Sequence, residues 1–162
     1  MRHLLFLFLL CFFFTKSFSK DFNYDLHATP EHFDSVCMKQ FCDPTYLPQY
    51  FQVKAKNEKS SYQILKEWKD FYKNTKRENL VTGFLTIRFF VNCKGEPCCF
   101  RFYDLDKNYK KTTYPEDIKS QLTAFVTQLG GWKLAKIENT PTNYYYYLTF
   151  KIQDNDFKTV AP

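Results

Sequence analysis

Cysteine is the residue type with the most chemistry to offer in this chain. Beyond residue 19 there are five, Cys37, Cys42, Cys93, Cys98 and Cys99, and four residues separate Cys37 from Cys42 just as four separate Cys93 from Cys98. Two matching pairs admit disulfides, a zinc ion closed in by four thiolates, or thiols that are inert or partly free. Outside a reducing cytoplasm disulfides are the default. Structural zinc sites usually space their cysteines more tightly, and no histidine lies near enough in sequence to complete a mixed site. The expectation is therefore disulfide bonding among Cys37, Cys42, Cys93 and Cys98, with Cys93 and Cys98 bridging each other or an N-terminal cysteine. An odd total leaves one thiol over. Strand alternation sends Cys98 and Cys99 to opposite faces, which makes Cys99 the expected free thiol.

The other reactive side chains offer less. Beyond residue 19 the histidines are His27 and His32, both in a weakly patterned stretch. A nucleophile needs its base within hydrogen-bond reach, and no spacing here suggests it. Asp104 and Asp106 read as turn or capping carboxylates rather than an acid/base pair. No glycine-rich phosphate loop or histidine metal motif occurs. The sequence predicts no enzyme, no cofactor and no metal.

Residues 1–19 read as an export signal: Arg2 and His3, an apolar run from Leu4 to Phe14, then Ser17-Phe18-Ser19. The small residues Ser17 and Ser19 suit cleavage after Ser19. The apolar run stops short of the roughly 18 residues a membrane-spanning helix needs, so no transmembrane segment is expected once the signal is removed. A retained anchor or a lipid on Cys11 is the alternative. The expected location is exported: periplasm, outer-membrane associated, or secreted.

Losing Arg2 and Lys16 from the 23 Lys and Arg leaves 21 basic residues against 17 acidic ones, a net charge of +4. That is mild, and it argues against a nucleic-acid partner, because such proteins concentrate Lys and Arg on one face. Aromatics are abundant, with 19 Phe and 12 Tyr, which favours strands and contact surfaces.

The elements that must position these groups follow from periodicity. A short helix is expected near Glu31–Lys39. Ser60-Ser-Tyr-Gln63 reads as a capping box, followed by Ile64, Leu65, Trp68, Phe71 and Tyr72 at helical spacing. Lys73–Asn79 reads as a polar connector. Gly83–Asn92 reads as a strand with Leu85, Ile87, Phe89 and Val91 on one face. Gly95 supplies the turn, and Cys98–Asp104 is the returning strand, with Phe100 and Phe102 inward. Thr113 and Glu116 are expected to cap a second helix reciprocally, around Pro115 in the first turn. Ile118, Leu122, Phe125, Val126 and Leu129 are its buried stripe, and Gly130-Gly131 end it. Lys133–Asn139 reads as a connector. Asn143–Gln153 is a long strand with Tyr144, Tyr146, Leu148, Phe150 and Ile152 on one side. The fold class is α+β: a small antiparallel sheet in the order strand, strand, helix, strand, one helix packed on a face, and an N-terminal helical or loop extension.

That order, with IRFFVNCKGE, GGWKLAKIENTP and YYYYLTFKI in sequence, resembles the TonB C-terminal domain in its stand-alone exported version of Bacteroidetes type. Leu134 stands where the family has a proline after its tryptophan. The resemblance divides the chain into a signal (1–19), an extension with one amphipathic helix (20–79), the TonB C-terminal-like domain (80–155) and a tail (156–162). It implies a non-enzymatic interaction module that binds a segment of an envelope or outer-membrane protein by strand addition at the last strand, with a link to outer-membrane transport. Tyr145, Tyr147 and Thr149, off the core face of that strand, are the expected partner contacts. Phe157–Val160, after a turn at Asp154-Asn155-Asp156, is able to fold back over that edge. The alternative is a small secreted factor whose cysteines act through a disulfide or a metal.

Overall fold

Ser60 starts the first helix as the capping box predicts. Its hydroxyl accepts the Gln63 N–H, and the Gln63 side-chain oxygen accepts the Ser60 N–H. The computed structural model describes residues 37, 39–43, 46–73 and 80–162. The expected signal and cleavage site, Cys11, His27, His32, nearly all of the expected helix near Glu31–Lys39, and 74–79 of the expected connector lie outside the described residues. Among the described residues no helix is long and apolar enough to cross a membrane.

Helix α1 (Ser61–Phe71) is followed by strands β1 (Gly83–Val91) and β2 (Pro97–Asp106), then helix α2 (Glu116–Gln128). Strands β3 (Ala135–Ile137), β4 (Thr140–Thr142), β5 (Tyr144–Gln153) and β6 (Asp156–Ala161) complete the order. The main sheet runs β2-β1-β5-β6, every neighbouring pair antiparallel. This is the expected α+β class, with two additions.

The first addition is that α1 is part of the core. Trp68 is fully buried, with ring centroids 5.4 Å from Phe125 of α2, 5.8 Å from Phe150 of β5 and 5.3 Å from Phe157 of β6. Both helices therefore cover one face of the sheet. No core boundary falls at residue 80, because Ile64 and Trp68 belong to the same cluster as Leu85, Ile87, Phe89 and Val91. The second addition is β6. Its Phe157 and Val160 are buried, and it pairs with β5 from Thr149 to Gln153 through a turn in which Asp154 and Asn155 both have positive φ. That is the two-residue turn whose twist suits antiparallel strands.

The expected cap of α2 is not formed. Pro115 occupies the N-cap position and no side-chain cap bond is made. The reason lies one strand away. The buried Tyr114 donates its N–H to Asp104 Oδ2 at 2.9 Å, and the same carboxylate takes Lys119 Nζ at 2.8 Å. Asp104 thus ties the start of α2 to β2, and Glu116 turns to Lys119 instead of back to the cap. Ile118, Leu122, Phe125, Val126 and Leu129 are buried as expected. The connector after Trp132 is also more ordered than predicted, because β3 and β4 form a short hairpin across Glu138-Asn139, both at positive φ.

Candidate functional site

Alternation assigns one set of side chains to the face away from the helices. Register lines them up in rows across the strands: Leu105, Phe84, Lys151 and Thr159; Tyr103, Thr86, Thr149 and Ala161; Arg101, Arg88 and Tyr147; Cys98, Phe90 and Tyr145. The last row is covered. Phe41 meets Phe90 at 4.9 Å, and Cys37, Phe41, Phe90, Cys98 and Tyr145 form a second buried cluster with Leu47 against it. At the opposite end Tyr109 stacks on Phe84 at 5.2 Å and 12°. Between these two ends Thr86, Arg88, Tyr103, Tyr147 and Thr149 are half-buried. Arg88 lies flat over the Tyr103 ring at 3.8 Å, and the Thr86 and Thr149 hydroxyls are 3.1 Å apart.

The cover at the buried end is the strap formed by residues 39–43 and 46–50. It is held by main chain, side chain and covalent bonds together. Tyr50 N–H donates to the Tyr145 carbonyl at 2.9 Å, and Tyr145 N–H donates to the Pro48 carbonyl at 2.8 Å, a parallel bridge centred on Gln49. Asn143, fully buried, accepts the Cys42 N–H at 3.1 Å and donates to the Asp43 carbonyl at 2.7 Å. Buried Asn92 holds the β1–β2 turn by accepting the Lys94 and Glu96 N–H groups, and it donates to the Gln40 carbonyl. Nothing in the sequence marked either asparagine, because a buried amide is recognisable only once its partners are in place.

Two disulfides complete the strap, Cys37–Cys99 and Cys42–Cys93, with Cα separations of 5.4 and 6.1 Å. The expected bridging of Cys37, Cys42 and Cys93 holds, but the roles of Cys98 and Cys99 are reversed: Cys98 is the buried free thiol. The cause is a β-bulge. Arg88 pairs with Arg101 and Phe90 with Cys98, so two β2 residues oppose Phe89, and Cys99 takes a φ of 61°. Alternation fails at that point, and Cys99 reaches Cys37 beneath the strap. In a chain that lacks residues 1–19 a thiol-specific reagent under denaturing, non-reducing conditions should label Cys98 alone, and peptide mapping should recover Cys37–Cys99 and Cys42–Cys93. Labelling of Cys99 with Cys98 protected would reverse this assignment.

The free thiol is poorly suited to exchange chemistry. Burial, and then the Glu96 carboxylate, push it up to about 12, so little thiolate exists near neutrality. The other four sulfurs are held in disulfides rather than in a thiolate site. Among the described residues no group of three or more His, Cys, Asp or Glu side chains is placed to hold a metal. Asp106 caps its own turn, Oδ1 accepting the Asn108 and Lys110 N–H groups, while Asp104 serves the α2 tether.

The three expected partner contacts divide. Tyr145 lies under the strap, where burial pushes its hydroxyl up to about 12 against the lowering effect of Arg88. Tyr147 and Thr149 lie on the open rows, with Tyr147 meeting Tyr50 at 5.9 Å. The predicted place of contact is corrected: β5 is an interior strand, paired with β1 on one side and, on the other, with β6 over Thr149–Gln153 and with the strap at Tyr145. The edges of the main sheet are β2 and β6. Comparison with protein-family models, with curated proteins and with solved structures finds no match in any of the three.

Proposed function

We propose that the protein is an exported, non-enzymatic interaction module, similar to the TonB C-terminal domain, that binds a segment of a cell-envelope protein on the outer face of its sheet. The observation that carries this reading is the graded cover of that face. One end is sealed by a disulfide-bonded strap and the other by Tyr109, while the middle presents Arg88, Tyr103, Tyr147 and Thr149 half-buried. Half-buried aromatic and arginine side chains on a rigid sheet are the composition of contact anchors. Export is supported by the two disulfides. The resemblance draws support from the strand, strand, helix order that β5 closes over Gly83–Gln153, with the β3–β4 hairpin inserted before β5. Face binding replaces strand addition at β5, which is an interior strand of the sheet.

The test is site-specific photo-crosslinking in intact envelopes. A photoreactive residue at Tyr147 or Thr149 should yield a discrete protein adduct, and one at Tyr62, exposed on α1, should not. Adducts formed equally at all three positions, or none at Tyr147 and Thr149, would sink the reading.

A further inference from the structure

Resting on that reading of the outer face, we infer that its partner is an acidic, extended polypeptide segment carrying aromatic side chains. Charge makes the first part of the case. The open rows contain Arg88 and Lys151 and no Asp or Glu, and the Asp156 carboxylate in the adjoining row, opposite Gln153, is paired with Lys69 and Lys158. The turn beside Tyr109 extends the same sign with Lys107, Lys110 and Lys111, all exposed. The chain as a whole mixes 23 basic with 17 acidic residues, so rows that hold cations beside carboxylates already engaged by Lys69, Lys158 or their own turn are a local asymmetry rather than a reflection of composition. Potentials that are complementary across an interface favour an anionic occupant.

Continuity with the strap makes the second part. The chain's own residues 41–43 and 46–50 already cover one end of this face. They pair main chain with Tyr145 and place Phe41 on Phe90 and Tyr50 against Tyr147. The next rows repeat the ring types that the strap uses and add cations. A second segment laid alongside the first would find the half-buried Tyr147 for an aromatic side chain, and Arg88 and Lys151 for its carboxylates. Arginine's planar fork donates two N–H groups to the oxygens of a carboxylate, and stacking on Tyr103 fixes the plane of that fork.

A single-stranded nucleic acid fits less well. Such ligands stack successive bases on open rings. Here Tyr103 already carries Arg88 and Phe84 already carries Tyr109.

The probe is a synthetic peptide alternating Asp or Glu with Tyr or Phe, titrated by fluorescence anisotropy into the full mature chain at low and high salt. The comparators are the same peptide with Lys or Ser in place of the acids, and oligothymidylate. The acidic peptide should bind and the Lys version should not, and binding should weaken as salt screens the exposed charges. Lys151→Glu, at an exposed position that leaves the fold intact, should weaken it at least about fivefold, and Arg88→Gln at least as much. Lys133→Glu, on the segment before β3, should leave it unchanged. Equal binding of the acidic and Ser peptides would overturn the charge assignment, as would indifference to Lys151→Glu. Binding of oligothymidylate with the same residue dependence would overturn the polypeptide. If the acidic peptide fails while a partner still crosslinks at Tyr147, the partner chemistry is wrong and the face remains the site. If both fail, the face itself is wrong.

Discussion

Cutting the chain after Asp156 is expected to unfold the protein rather than to free an edge for binding. Phe157 is 2% exposed, with ring centroids 5.3 Å from both Trp68 and Tyr72 and 6.0 Å from Phe150. Losing a buried phenylalanine costs about 3–5 kcal/mol, and losing the buried Val160 adds about 1.5–3 kcal/mol. The cut also strips β5 of its partner from Thr149 to Ile152 and leaves buried main-chain groups to be hydrated. Set against a net stability of roughly 5–15 kcal/mol for a domain, the sum removes most or all of it. Urea unfolding followed by near-ultraviolet circular dichroism decides the matter. A truncated chain with a cooperative transition close to the parent's would show that β6 is a removable cover. Lys158→Ala is the control. It removes only exposed charge contacts with Asp156 and should move stability by less than about 0.5 kcal/mol.

The same strand shows what periodicity reveals and what it withholds. Phe157 and Val160 are legible as apolar residues beyond a turn, so a returning segment is readable from the sequence. That the segment closes the core against Trp68 is not, because a ring's partner is set by tertiary packing. Helix α1 follows the same logic. Its capping box and its apolar face are plain in SSYQILKEW, yet nothing local says that this face joins α2 on the sheet. The elements read correctly, β1, β2, α1, α2 and β5, are those long enough to show a two-residue or 3.6-residue repeat, although in β2 the bulge interrupts it. The β3–β4 hairpin is missed because three-residue strands carry no repeat and Glu138 is not a usual residue at positive φ.

The candidate site was half legible for a related reason. Alternation along β5 correctly separates Tyr145, Tyr147 and Thr149 from the core set. Alternation along β2 misassigns Cys98 and Cys99, because the bulge adds a residue opposite Phe89 without a glycine to announce it. Arg88 is stacked on Tyr103, a contact that alternation along β1 alone does not reveal. Tyr103 lies on the adjacent strand, and only the register brings the two together.

Raising the pH is expected to unfold the protein cooperatively in the interval between the ionisation of a free phenol and that of its buried tyrosines. Burial is the largest cause in each case. It pushes Tyr114, Tyr145 and Tyr146 up from 10.0 to about 12, moves Tyr144 the same way, and takes the Cys98 thiol from 9.0 to about 12. The folded state therefore holds these protons more tightly than the unfolded chain does. That contribution to stability is fully present below about pH 9, the lowest of the unfolded values, and it is lost as the pH rises through 10 towards 12. A rise of two units corresponds to about 2.7 kcal/mol per group. Three tyrosines and a thiol together reach on the order of 10 kcal/mol, comparable with the whole stability of a domain. Phenolate absorbance from the buried rings should thus appear together with loss of near-ultraviolet dichroism. Tyr145→Phe removes one titrating group and should move the alkaline midpoint upward. Cys98→Ala should make the transition reversible, because in the unfolded chain the Cys98 thiolate is free to attack either bridge. Smooth ionisation of every tyrosine near pH 10, with the dichroism unchanged, would show that these rings reach water and that the core around Tyr144–Tyr146 opens without global unfolding.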